Sequence, residues 1–343
     1  MIRSITALAV PCSVLLLAIY LRNRANVNLI HKRLALKRRA KTRLPAGIIN
    51  VGNSCYMASV LQLLASAGEP LINHFRELDN KVASTLSELL EKINSGEGSK
   101  VRPVEFIKSF SGTLMGLSPD QQDAHEFLLA LLNMKCLRNS KFITSSINLD
   151  INRSISRSLF NVRNPFTGVL MNELICLPCA SKRKPRHISS LRIEPFSCVT
   201  LIPDSSNSSI SEAVYRHFCA PEKYSDYCNY KDEVKCGLGA VNQKHPLIFP
   251  QLLFLHVSQM TGNSLMKTDQ ILRTEIELAG PGYRYKLNSV IVHIGNSAVH
   301  GHFICYRRRE DVWIECNDEN IKIVSEDTIL CQRAYILLYQ LDL

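Results

Sequence analysis

An α+β fold is what this sequence predicts, because its apolar rhythm changes partway along the chain. Residues 47–135 repeat apolar side chains at helical spacing, whereas from about residue 166 the apolar runs are short and separated by turn residues. A helical half followed by a strand-rich half is the α+β arrangement. A third observation places chemistry on that frame. A cysteine opens the helical half, and a group of histidines followed by an Asn-Asp pair lies near the end of the other.

The 343 residues suffice for one large core or two modest ones. The formal net charge of +11 is concentrated in residues 22–43, which hold no acidic residue; without them the chain is nearly neutral. The basic balance therefore describes a tail rather than a nucleic-acid-binding face, and no nucleic-acid partner is expected. The 12 cysteines are scattered without a disulfide-like framework, which points to a reducing, cytosol-facing compartment.

In chain order, residues 4–21, SITALAVPCSVLLLAIYL, form an uncharged apolar run near the lower length limit for spanning a bilayer. Pro11 is tolerated in a membrane helix. A cleavable signal peptide and a buried helix are the rival readings. The basic residues follow the apolar run instead of preceding it, and no small-residue cleavage site is evident. Residues 1–21 are thus read as a single N-terminal transmembrane anchor with the bulk of the chain in the cytosol. Residues 22–43 are read as a basic juxtamembrane linker, either resting on anionic headgroups or merely solvated. A catalytic domain is expected over 44–343, its first helical part over about 47–160 and the strand-rich remainder over about 161–343.

Within 47–66, GIINVGNSCYMASVLQLLAS, Met57, Val60, Leu61 and Leu64 predict an amphipathic helix stopped by Gly68 and Pro70. Asn53 or Ser54 is the expected N-cap, which puts Cys55 in the first turn. There the free backbone N–H groups and the helix dipole favour the thiolate, the nucleophilic form. The bland alternative is one more buried cysteine. Leu86, Leu89, Leu90 and Ile93 predict a second helix ending at Asn94-Ser95-Gly96, and Pro103 opens a short third one. Ser118, Pro119 and Gln121 read as a capping box for a further helix that buries Ala124, Phe127, Leu128 and Leu131. The strand candidates are ISSLRIEPF, SCVTLIP, LIFPQLLFLHVS, TEIELAG, YKLNSVIVHIG, HFICYRR, VWIECN, IKIVS and AYILLYQLDL.

A cysteine nucleophile needs a base, and the base needs an orienting partner. His293, His300 and His302 are the candidate bases; each alone is more readily a satisfied surface or core residue. Gly301 before His302 would permit close backbone approach at the start of a strand. Asn317 or Asp318 could accept the imidazole N–H and fix its tautomer. The order Cys, His, Asn is that of papain-like proteases.

Four blocks then carry a resemblance to the ubiquitin-specific proteases, the cysteine deubiquitinases: GIINVGNSCYMASVLQ, QQDAHEFL, PQLLFLHVSQ, and YKLNSVIVHIGNSAVHGHFICYRR with WIECNDENI. The resemblance implies a papain-like domain of thumb, palm and fingers. It also implies Cys55 as nucleophile, His302 as general base, Asn317 as its orienting partner, Asp318 in support and Asn50 as oxyanion donor. The implied partners are ubiquitin and polyubiquitin chains. The anchor, basic stretch and catalytic domain in succession resemble the member of that family fixed in the mitochondrial outer membrane. That resemblance implies ubiquitinated membrane proteins as substrates and a role opposing ubiquitin-driven mitochondrial clearance. An endoplasmic-reticulum anchor would look the same. A ubiquitin-binding scaffold without activity and a protease for another ubiquitin-like modifier are the rivals.

The chain departs from the family pattern in places. Ser54 stands for a common threonine, Ala58 for a common asparagine, and Gln259-Met260 for a basic-aromatic pair that would touch ubiquitin. Cys176-x-x-Cys179 is present, but its usual companion survives only as Cys228. Three thiolates leave a structural zinc site open, and nothing in the spacing selects Cys219, Cys236 or His187 as the fourth ligand. No metal and no other cofactor is expected.

Overall fold

The structure, a computed structural model, describes residues 42–96, 99–110, 122–134, 164–176, 188–204, 208–224, 240–259, 267, 269–295 and 301–342. The expected anchor over 1–21 and nearly all of the linker lie outside these residues, as does the boundary near 160. Among the described residues no single helix is long and apolar enough to cross a membrane.

The helical half is built around α1 (Cys55–Ser66), in which every residue from Cys55 to Ala65 is buried. A helix that is apolar nearly all round belongs inside the fold. Each of its fully buried leucines contributes roughly 1.5–3 kcal/mol. Gly68, at φ 70°, breaks the chain direction with a conformation that favours glycine. Pro70 does more than stop α1: it sits in the first turn of α2 (Glu69–Arg76), where its missing N–H leaves no bond unmade. The sequence reading had no separate helix there. α3 (Lys81–Ser95) is capped by Asn80, whose Oδ1 accepts from the Ala83 N–H at 2.8 Å. α4 (Val104–Phe110) is the short helix after Pro103.

The next helix corrects an expectation. α5 (Ala124–Asn133) is capped by Asp123, not Ser118, and Ser118, Pro119 and Gln121 lie outside the described residues. Asp123 is extended at ψ 132°, so no helix runs through it. Its Oδ1 accepts from the N–H groups of His125 (2.7 Å) and Glu126 (3.0 Å). A carboxylate satisfies the helix's free donors and its dipole together, which a serine hydroxyl does less well.

A small parallel pair, also unforeseen, joins β1 (Gly47–Ile48) to β2 (Lys100–Val101). It brings the chain before α1 against the turn after β12, near the C-terminal end of the sequence, where the Ile48 N–H donates to the Asp318 carbonyl at 2.9 Å. A Cβ at Gly47 would stand 2.4 Å from the Glu319 carbonyl oxygen, so only glycine allows this approach.

The strand half forms two sheets. The smaller runs β4 (Ile188–Phe196), β3 (Gly168–Cys176), β7 (Ala240–Ile248), β6 (Glu222–Tyr224). The larger has the order β13 (Asn320–Val324), β12 (Val312–Asn317), β11 (His302–Arg309), β10 (Tyr283–Ile294), β14 (Ala334–Leu341), β8 (Leu252–Val257), β5 (Cys198–Leu201), with β9 (Glu277–Gly280) beside β10. The run LIFPQLLFLHVS thus divides between the ends of β7 and β8, interrupted at Pro250. The larger sheet is covered on both faces. Phe254, Ile291, Cys305, Ile314, Ile336 and Leu338 pack towards α1, α2, α3 and α5. Their neighbours Leu255, Val290, Ile304, Trp313, Leu337 and Tyr339 pack on the other side, with α6 (Ile210–Cys219). Burial on both faces is why β8 and β14 read as continuous apolar runs. A last short helix, α7 (Glu326–Leu330), leads into β14.

Candidate active site

Cys55 is the first residue of α1, and Ser54 stands at the N-cap without a side-chain capping bond. Its hydroxyl is used inside the loop instead, accepting from the Val51 N–H (2.9 Å) and donating to Asn50 Oδ1 (3.0 Å). Asn50 Oδ1 also accepts from the N–H groups of Gly52 (3.0 Å) and Ser54 (3.2 Å). Gly52 at φ 97° and Asn53 at φ 45° take left-handed conformations to close this loop. The tight loop delivers Cys55 to the start of the helix, where a thiolate faces the dipole's positive end.

The expected base, His302, is the first residue of β11. A Cβ at Gly301 would stand 2.1 Å from the His293 ring and 2.4 Å from the Ile294 carbonyl, so glycine lets β11 begin this close to β10. His302 Nε2 lies 2.7 Å from Asn317 Oδ1. Asn317 ends β12, the next strand, so the hairpin holds the pair rigidly. An amide oxygen accepts, so Nε2 carries a proton and Nδ1 is left to take the proton of Cys55. The thiol and the imidazole lie close enough for each to shift the other's titration.

The electrostatics of the pair agree. Burial pushes the Cys55 thiol up, but the His302 hydrogen bond, the Phe303 backbone N–H and the imidazolium charge outweigh it, and the net shift is downward. His302 is pushed up to about 9, chiefly by its bond to Cys55, against burial and with help from Asn317. Both shifts run in the direction that favours a thiolate beside an imidazolium.

Asp318 Oδ2 accepts from the Asn50 amide at 2.9 Å, while Asn317 makes the hydrogen bond to the imidazole and the Asp318 charge adds to the upward shift of His302. The reason for the contact with Asn50 is the turn between β12 and β13, where Asp318 adopts φ 51° and swings away from its neighbour towards the loop before α1. Aspartate tolerates that left-handed conformation better than most residues. The Asn50 amide therefore donates to Asp318 while its oxygen braces the loop before Cys55.

The other candidates fall elsewhere. His293 stacks on Phe303, with ring centres 4.5 Å apart, and burial lowers it to about 4, so it is neutral and serves as packing. His300 lies outside the described residues. Gln259 is buried and donates to the Ala334 carbonyl at 3.0 Å, pointing into the fold. Cys179, Cys228, Cys236 and His187 lie outside the described residues, as does the side chain of Cys176. Among the described residues no group of three or more His, Cys, Asp or Glu could hold a metal ion.

A layer behind the site went unread in the sequence. His125 and His256 stack at 3.6 Å with planes 10° apart, and the Tyr335 hydroxyl donates to Asp123. Burial lowers His256 to about 3 and lowers His125 as well, which favours the neutral form of both rings. The block QQDAHEFL marked Asp123 and His125, but the pairing with β8 and β14 depends on the tertiary fold.

The family model described as ubiquitin carboxyl-terminal hydrolase matches residues 46–339. Ubiquitin carboxyl-terminal hydrolase 11 of Schizosaccharomyces pombe is 29% identical over 89% of this chain and 87% of its own length. Ubiquitin carboxyl-terminal hydrolase 4 of Arabidopsis thaliana is 25% identical over 86% of this chain and 92% of its own. The fold is shared with the SAGA Ubp8/Sgf11/Sus1/Sgf73 DUB module bound to ubiquitin aldehyde, at TM-score 0.65 and 19% identity, covering 93% of this chain and 76% of that one.

Proposed function

From the premise that this chain belongs to the ubiquitin carboxyl-terminal hydrolase family and is a cysteine-type deubiquitinase, we propose that Cys55, His302, Asn317 and Asn50 carry its reaction, at a membrane. The observation that supports the assignment most is the continuous line Cys55–His302–Asn317, with the last bond at 2.7 Å. The Cys55 thiolate attacks the carbonyl of the C-terminal glycine of ubiquitin. The tetrahedral oxyanion is held by the Asn50 amide and the Cys55 N–H. The His302 imidazolium protonates the departing lysine amine, giving an acyl-enzyme. His302, now neutral, takes a proton from water, and the resulting hydroxide equivalent releases ubiquitin. Asn317 keeps the ring in the tautomer this sequence requires. Ubiquitin and polyubiquitin chains are the partners, their globular body supplying binding energy far from the bond that breaks.

The uncharged run at 4–21 and the basic stretch after it support a single-pass anchor with the catalytic domain in the cytosol. Their likeness to the outer-membrane member of the family supports the mitochondrial outer membrane as the site. Ubiquitinated membrane proteins are then the substrates, and opposition to ubiquitin-driven mitochondrial clearance the role. The test pairs two measurements. The full chain should release a fluorophore joined by an amide to ubiquitin, and should prefer it to the same fluorophore on other ubiquitin-like modifiers. Preference for another modifier would overturn the substrate assignment. A fluorescent protein fused to residues 1–43 should coat mitochondria; a reticular or diffuse distribution would overturn the address.

A further inference from the structure

β11 turns Phe303, Cys305 and Arg307 towards α1 in alternation, and the third is a cation where the first two are apolar. Arg307 is only 3% exposed, and no carboxylate pairs with it among the described residues. Its partners are neutral amides. Nη1 donates to Gln62 Oε1 at 3.1 Å and Nη2 to Asn94 Oδ1 at 2.6 Å. Both amides pass the connection on. Gln62 Nε2 donates to the Ala46 carbonyl at 2.7 Å, and Asn94 Nδ2 to the Ala65 carbonyl at 2.8 Å. Arg309, on the same strand, donates to the Asn94 carbonyl at 2.9 Å.

A buried guanidinium without a counter-ion is expensive, and an apolar side chain in this position would fill the space more cheaply. What the guanidinium provides instead is a two-pronged bond of fixed geometry. Of its two partners, Asn94 belongs to α3, whereas Gln62 ties the guanidinium to the elements that carry the chemistry. Gln62 is in α1, which begins with Cys55; Arg307 is in β11, which begins with His302; Ala46 leads through β1 to Asn50. α1 and β11 pack on each other through Phe303 and Cys305, and polar contacts fasten them at two places: the thiol and imidazole at one, Gln62 and Arg307 at the other. Seven helical residues separate the two along α1, about 10 Å. Two attachments fix both the position of a helix along a strand and its angle to it; one leaves the angle free.

Resting on the assignment of Cys55 and His302 above, we propose that Arg307 is a positioning residue, which clamps Gln62 and Asn94 and thereby sets the separation of the nucleophile from its base. It touches no substrate. Cys305, Cys316 and Arg309 are the other titratable groups near it, and none of them bonds to Cys55. An error of about 1 Å in such a separation lowers a rate by as much as about 100-fold.

The test compares full-length wild type with Arg307→Met, Arg307→Lys and Asn94→Leu. Iodoacetamide is applied across pH, and alkylation of the Cys55 peptide is followed by mass spectrometry. Arg307→Met should move the alkylation profile up by about one pH unit, a roughly tenfold slower reaction at pH 6. Its kcat on the ubiquitin amide should fall about tenfold with KM within about twofold, as expected of an interaction made only in the transition state. Arg307→Lys keeps the charge but loses the fork, and should behave like methionine. Asn94→Leu removes one prong, leaves β11 intact and should shift the profile by less in the same direction; it also serves if Arg307→Met does not fold. A wild-type profile in folded Arg307→Met, or one restored by lysine, would overturn the proposal. The alkylation readout uses no ubiquitin, so a chain inactive on ubiquitin would refute the functional assignment while leaving this question answerable.

Discussion

Cys55→Ala and His302→Gln should each abolish hydrolysis of a ubiquitin amide, by on the order of 10⁶-fold in kcat, and the double variant should be no worse than either. Non-additivity is the informative part. The two side chains share one proton and act as a unit, so removing either removes the thiolate–imidazolium pair. The variants differ in what they leave. In His302→Gln the sulfur remains but its main stabiliser is gone. Burial, the largest influence on that thiol, is then opposed mainly by the Phe303 N–H. Its alkylation should therefore require more alkaline solution than an ordinary thiol does. In the wild type the sign is reversed. Activity should rise on the acid side at a pH below the ordinary thiol range, as Cys55 ionises. It should fall above about 9, where His302 loses the proton it must give to the leaving amine.

Asn50→Ala should lower kcat by roughly 10²–10³-fold, or 2.7–4 kcal/mol, with little change in KM, because the lost donor serves a charge that exists only after attack. Its carbonyl oxygen also braces the loop through Gly52 and Ser54, so a modest fall in thermal stability should accompany the loss. Asp318→Ala separates the two effects. The loop bonds of Asn50 survive, and only the grip on its amide is released. About a tenfold loss in kcat is expected, measured by steady-state kinetics beside thermal melting. A loss equal to that of Asn50→Ala would mean that the donor is useless without the grip of Asp318 on it.

How much of this the sequence carried can be traced to particular residues. α1 was legible because Met57, Val60, Leu61 and Leu64 repeat at helical spacing. β11 and β14 were legible because their runs are bounded by turns. β3 and β6 escaped because GVLMNELIC and EKY lack the alternation that marks a half-buried strand. The cap of α5 was misread because Ser118-Pro-Asp-Gln has the form of a capping box, while Asp123 sits closer to the apolar face and binds two N–H groups. At the site, Cys55 and His302 stood out by residue type and order, and the structure brings them together. That Asp318 turns to Asn50 depends on a left-handed turn between two strands, which local sequence does not specify. The clamp of Arg307 on Gln62 and Asn94 depends on how a helix lies across a sheet. Such contacts join residues far apart in the chain and leave no periodic signal.

The central claim is that Cys55, activated by His302, attacks the C-terminus of ubiquitin. It is tested most directly by incubating the full chain with ubiquitin bearing a C-terminal electrophile and mapping the adduct by mass spectrometry. The account predicts one covalent adduct, on Cys55, absent in Cys55→Ala and much slower in His302→Gln. An unmodified Cys55, whether no adduct forms or another cysteine carries it, would contradict the account.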